Sequence, residues 1–472
     1  MSDILDHRLY DNRLSHALVY QSSGKVTKSV GMLFEAYLPG AGLGSLCRIV
    51  RSHDRLSTDG VDAEVVGFRD RKVMLMPFDE PGGVNNESLV VLKKKAASVY
   101  VSSSLLGRVI DGKGEPLDGK GPLKVDGIRG EERSIYAQPT HPLLRERIQA
   151  PLDLGIRAIN GLLTCGKGQR VGIMAGSGVG KSVLLGMMAR NTAADINVIA
   201  LIGERGREVR EFIENDLGEE GLKRSVVVVS TSDKSPLLRM RGAFLATTIA
   251  EYFREQAKDV LLLMDSATRF AMAQREIGLS LGEPPTSKGY TPSVFATLPR
   301  LLERAGMAPS KGSITGLYTV LVEGDDMDDP VADAIRAILD GHIVLSRKIG
   351  QKNHFPAIDI LQSTSRVMRA VISKEHGTWA GRIREWMALY QQAEDLINVG
   401  AYAKGSNTKI DEAIFAIDRI NAFLRQAIEE KSTFAETSAA LHGIVRSVEG
   451  YTESTQYAAP PSNRPSPSAR FS

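Results

Sequence analysis

The stretch that decides the fold is Ala175-Gly176-Ser177-Gly178-Val179-Gly180-Lys181-Ser182. The apolar run Val171-Gly172-Ile173-Met174 precedes it, and Val183-Leu184-Leu185-Gly186-Met187-Met188-Ala189, which reads as a helix, follows. A strand, a glycine-rich turn ending in Gly-Lys-Ser and a helix make a phosphate-binding loop. Its glycines let backbone amides converge on phosphate oxygens, and the helix N-terminus adds partial positive charge. Gly176, Ser177, Gly178, Val179 and Gly180 are thereby expected to cradle phosphate. Lys181 is expected to reach the β/γ-phosphates, and the Ser182 hydroxyl to ligate Mg²⁺. Ala175 stands where the strict pattern has glycine, at a strand end that tolerates a methyl group.

Working outward, the chain of 472 residues is long enough for about three domains. No stretch approaches an apolar membrane span, and the acidic start Met1-Ser2-Asp3-Ile4-Leu5-Asp6 is not a secretory signal. Cys47 and Cys165 lie far apart, with neither disulfide nor metal spacing. A cytoplasmic protein is the expectation. Lys+Arg 59 against Asp+Glu 56 leaves a net charge of +3, without the basic footprint of a nucleic-acid binder.

Five segments are expected. Residues 1–22 read as a helical arm that frays or docks a partner. Residues 23–97 hold short β-rich runs between Gly, Asp and Pro turns, a small barrel. In that barrel Phe34, Tyr37, Phe68 and Phe78 are isolated and are assigned to the core, not to base stacking. Residues 98–365 open with a turn-rich connector and then alternate strand with helix, the pattern of a parallel sheet covered on both faces. Residues 366–450 read as helical, and the Pro/Ser-rich segment 451–472 as disordered.

Ligands of such sheets bind at the carboxyl ends of the strands. Asp265 ends the strand Val260-Leu261-Leu262-Leu263-Met264, where an acid can hold a Mg²⁺ shell, cap the next helix, or do both. Glu204 ends Val198–Gly203, where a carboxylate can polarise the attacking water; in Gly203-Glu204-Arg205-Gly206-Arg207-Glu208 it can equally belong to a surface ion-pair network.

These residues stand in longer motifs: Gly203–Val209, Leu263-Met264-Asp265-Ser266, Met272–Ile277, Gly282-Glu283-Pro284-Pro285, Lys288-Gly289-Tyr290 and Asp340–Arg347. From about residue 25 to 445 the chain resembles the type III secretion ATPases, their flagellar export branch above all, and more distantly the α and β subunits of F-type ATP synthases. The resemblance implies an α/β fold: a RecA-like phosphate-loop core, an N-terminal β-barrel and a C-terminal helical domain. It implies ATP and Mg²⁺, with Glu204 as general base, Asp265 in the Mg²⁺ shell and Arg205 near the γ-phosphate. Phe355 matches the ring that packs on adenine, and Arg366 the arginine finger a neighbouring subunit supplies. With Glu204 and Arg366 in one sequence, a head-to-tail homohexamer follows. The resemblance further implies a peripheral-stalk-like regulator on the N-terminal arm, a central-stalk-like coiled coil, a membrane export gate and chaperone–cargo complexes. It places the ring at the cytoplasmic side of the inner membrane. Gly400–Ser406 resembles flagellar members, while Thr364-Ser365-Arg366 is similar to the F-type β subunit. A virulence-secretion ATPase, a rotary F- or V-type subunit and a polynucleotide-driven ring are the alternatives.

Overall fold

The computed structural model describes residues 22–51, 59–124, 127–176, 178–309, 312–322 and 329–457, with side chains placed as far as Thr452. Ser177, all but the last residue of the arm and the segment 458–472 fall outside the described residues.

Six strands close into a barrel in the order β1-β2-β5-β4-β3-β6: β1 (Ser23–Val30), β2 (Leu33–Ala36), β3 (Leu46–Val50), β4 (Gly60–Arg69), β5 (Lys72–Pro77) and β6 (Leu89–Lys94). Within the β-rich run Ser29–Ala36 the chain turns at Gly31, whose φ of 58° suits glycine. Val30 then pairs with Leu33 in a hairpin. Val26, Phe34, Ile49, Val65 and Leu75 fill the barrel. Phe78 is buried too, but Tyr37 and Phe68, assigned to the core from sequence, stand 60% and 54% exposed. Single aromatic residues in short strands carry no signal for which face they take.

β7 (Ser98–Ser102) and β9 (Gly130–Ser134) pair as a separate two-stranded sheet. The turn-rich connector is not merely a linker, because β8 (Arg108–Asp111) inside it joins the central sheet alongside β12. That sheet runs β17-β16-β10-β15-β13-β11-β12-β8, with the short β14 (Gly306–Met307) also on β15. Its members are β10 (Arg170–Ala175), β11 (Ile196–Ile202), β12 (Ser225–Ser230), β13 (Asp259–Asp265), β15 (Ser313–Leu321), β16 (Gly341–Leu345) and β17 (Ile358–Ser365). The strands from β16 to β8 are parallel, and β10, β11, β12, β13 and β15 among them are buried on both faces, as their largely apolar sequences require. The edge strand β17 runs antiparallel to β16, which the expectation of a parallel sheet did not contain.

Helices Lys374–Asn398, Thr408–Leu424 and Phe434–Tyr457 form the C-terminal domain. The last helix runs seven residues beyond Gly450, where the sequence reading ended the helical domain. Ile383, Trp386, Ile420 and Leu441 continue the apolar cluster beneath the phosphate-loop helix, so the two domains share one core. Among the described residues no helix is long and apolar enough to cross a membrane.

A buried ion pair ties the barrel to the core. Arg241, in helix Pro236–Glu255, donates from Nη1 to Glu64 of β4 at 3.0 Å, and the Tyr136 hydroxyl donates to the same carboxylate at 2.7 Å.

Candidate functional site

β10 carries the chain to Ala175, and the helix Lys181–Asn191 begins six residues later. Gly178 and Gly180 adopt φ of 75° and 86°, left-handed values that explain glycine at both. A Cβ on Gly178 would meet nothing within 4 Å, so the loop is an open cradle. Gly180 caps the helix, leaving the amides of its first turn free for an anion.

Parallel pairing brings the other groups to the same end of the sheet. β11 lies beside β13 with Leu201 opposite Asp265, and Glu204 follows three residues on. Lys181 Nζ lies 2.5 Å from Asp265 Oδ1 and 3.7 Å from Glu204 Oε1. Asp265 is 4% exposed, and its Oδ1 also accepts from the Thr319 hydroxyl at 2.6 Å. Capping falls instead to Ser266, whose Oγ accepts from the Arg269 amide, so the alternative reading of Asp265 as a cap does not hold.

Glu204 Oε1 is buried without a hydrogen-bond partner. Burial, foremost, and then the Asp265 charge push its carboxyl up to about 7, against the pull of Lys181 and with Glu208 adding to the rise. A group that titrates near neutral pH at the mouth of a phosphate cradle is suited to take a proton from water.

Oxygen donors suit a hard cation. The Ser182 hydroxyl, one residue from Lys181, and the Asp265 carboxylate are such donors. Among the described residues no group of three metal-binding side chains forms, so a cation here would rely on phosphate oxygens and water for its remaining ligands. Phe355 stands 45% exposed, and its ring would lie 3.7 Å from a Cβ on Gly180, close enough to flank a nucleotide in the loop.

Sequence similarity then decides the lineage. The ATP synthase alpha/beta family, nucleotide-binding domain, matches residues 155–365, and the T3SS EscN ATPase C-terminal domain matches 372–443. The flagellum-specific ATP synthase of Bacillus subtilis is 52% identical over 90% of this chain and 95% of its own. The type 3 secretion system ATPase of Sinorhizobium fredii is 50% identical over 88% and 90%. The chain belongs to the flagellum-specific ATP synthase and type III secretion ATPase family. It is an ATPase of type III secretion. The assembled ATPase EscN of enteropathogenic E. coli superposes with a TM-score of 0.83 at 47% identity, covering 89% of this chain and all of that one. EscN in complex with its central stalk EscO matches with a TM-score of 0.82.

Two of the site residues expected in this secretion ATPase are not brought to the loop. Arg205 begins the helix Gly206–Glu211 with its side chain 79% exposed, 3.6 Å from Glu208. Arg366 is at the far end of the sheet. Ala175 pairs with Leu345 and Leu345 with Ile358, so the start of β17 is the end nearest the loop. β17 then runs away, its last residue Ser365 pairs with Gly341, and the Arg366 amide donates to Asp340. Eight residues of strand set Arg366 roughly 25 Å from that end.

Two neighbours went unnamed in the sequence. Thr319 is one of several hydroxyl-bearing residues in the buried strand Ser313–Leu321, so nothing in that run set it apart. Arg269 packs its stem on Gly203, where a Cβ would meet Arg269 Cβ at 2.7 Å, and its buried Nε lacks a partner. Nothing in its spacing marked it.

Proposed function

We propose that this ATPase works as a Mg²⁺-dependent, head-to-tail homohexameric ring that energises the flagellar protein export apparatus by unloading its substrates. In each site the phosphate-loop amides and Lys181 hold the β/γ-phosphates, and Ser182 and Asp265 hold the cation. When bound, the cation would supply charge neutralisation for the phosphates. Glu204 takes the proton of the attacking water, and Phe355 packs on adenine. Arg205 and Arg269 are the nearby cations for the departing phosphate, Arg205 after a swing of its exposed side chain.

The observation that carries this reading is the distance of Arg366 from its own loop. An arginine finger is worth on the order of 10³–10⁵ in rate. An arginine roughly 25 Å from its own site can act as one only on the next copy. A head-to-tail interface of this kind closes into a ring. The assembled state of EscN, and its complex with a central stalk, support an oligomer and a stalk partner here too. The flagellar branch is favoured by Gly400–Ser406; the peripheral-stalk-like regulator, export gate and chaperone–cargo partners, and the seat at the inner membrane, come with that branch.

The test is a mixing experiment. Glu204→Gln and Arg366→Ala are each expected to abolish turnover while retaining ATP. Co-assembled, they should regain activity at interfaces that pair an intact base with an intact finger. No recovery in rings shown by mass to be mixed would refute the trans finger.

A further inference from the structure

The end of the sheet that carries Arg366 also displays a rigid apolar knob. Leu143 and Leu144 are 88% and 60% exposed, Leu143 the most exposed of the large hydrophobic side chains among the described residues. They sit on the turn Pro142–Leu144, which is braced from both sides. The Leu144 amide donates to the His141 carbonyl at 3.0 Å, and the Leu143 amide to His141 Nδ1 at 3.3 Å. Arg145 then anchors the turn to the core, donating to the carbonyls of Thr140, Ala305 and Glu303.

The knob belongs to the finger's edge. Ile148 and Val367 both press on Gly166, where a Cβ would meet them at 2.3 and 3.1 Å, and Val367 follows Arg366. A chain of ion pairs makes the same connection: Arg145 with Glu303, Glu303 with Arg170, Arg170 with Asp340, whose carbonyl holds the Arg366 amide. Arg147, Arg366 and Arg369 are exposed on these same segments and outnumber the exposed Glu146. An apolar centre with a cationic rim faces, in the next copy, a loop that holds a polyanionic nucleotide.

We propose that Leu143 and Leu144 are the apolar anchor by which one copy of this chain docks on the nucleotide-bearing face of the next. The proposal rests on the ring reading above and names the side chains that hold the ring together. Water-exposed leucines on a turn already fixed by proline and hydrogen bonds lose little entropy when buried, which is how anchor residues concentrate binding energy. Their role is to bring Arg366 into register with a site it cannot otherwise reach; the leucines themselves touch no reacting atom.

The experiment uses the full chain with a non-hydrolysable ATP analogue and reads assembly by mass photometry against protein concentration. Leu143→Ser/Leu144→Ser should raise the midpoint for assembly at least roughly tenfold, since two buried leucines contribute at the level of an interface hot spot. Analogue affinity and melting temperature of the unassembled chain should not change, because both side chains are already in water. Leu143→Met/Leu144→Met should restore assembly to within roughly threefold, as apolar surface of similar volume is retained. Wild type assembling while the double serine variant shows the same midpoint would overturn the anchor and leave the ring intact. Wild type that stays monomeric at every concentration would overturn both.

Discussion

Replacing Glu204 by glutamine should make the nucleotide-free protein more stable at pH 8, although it removes the proposed base. The carboxyl is carried from 4.5 to about 7, by burial first and by the Asp265 charge second. A raised carboxyl binds its proton more tightly folded than unfolded. Stability therefore falls as pH rises from about 4.5 to about 7 and stays low above that. At 1.36 kcal/mol per pH unit the ceiling on this cost is about 3 kcal/mol. Glutamine has no charge to bury, and Lys181 keeps its contact with Asp265 at 2.5 Å. For a domain of this size roughly 2 °C accompanies each kcal/mol, so the apparent melting midpoint should rise by several degrees at pH 8. The gain should shrink through pH 7 and vanish near pH 4.5. Thermal scans at one fixed rate, without nucleotide and across that pH range, measure it. A variant no more stable than wild type at pH 8, or one whose advantage is the same at pH 5, would refute the placement of a strained carboxylate here.

Two further outcomes are expected. Phe355→Ala should raise the KM for ATP about tenfold with kcat little changed, and Phe355→Tyr should behave as wild type, since the exposed ring beside Gly180 contributes a stacking face of roughly 1–2 kcal/mol. Equal loss of kcat in both variants would count against a purely binding role. Arg241→Ala should destabilise the protein by about 3–5 kcal/mol by leaving Glu64 buried without its partner. Arg241→Met combined with Glu64→Gln should recover much of it; if denaturant unfolding finds the single and double variants equally weak, the ion pair is not the tie between barrel and core.

What could be read from the sequence follows from how narrowly chemistry limits residue choice. Left-handed backbone at Gly178 and Gly180 all but demands glycine, so the loop announced itself. An acid at the end of a five-residue apolar run marked Asp265, because nothing but function or a cap tolerates a carboxylate there; Ser266 supplies the cap. Where several residue types serve equally, the signal faded. Tyr37 and Phe68 are exposed aromatics of the barrel, Gly31 is one turn glycine among many, and Arg269 is one of two arginines in its helix. Each took its position from packing that only the assembled chain defines.

Arg366 is the case where motif and geometry carry different halves of one statement. Its chemistry can be read from Ser363-Thr364-Ser365-Arg366, but which site it serves depends on the direction of β17. Were β17 parallel to β16, its last residues would lie beside Leu345 and the phosphate loop, and the arginine would serve its own site. Antiparallel, the same eight residues carry it to Gly341 at the opposite end. On the ring proposed above, one reversal of an edge strand thus turns a residue of one molecule into a residue for its neighbour. No periodicity in so short and partly buried a strand records that reversal. The proposed dependence of each site on a second copy would be a property of topology, and the place to look for its energetics is the edge where Arg366 and Leu143 stand together.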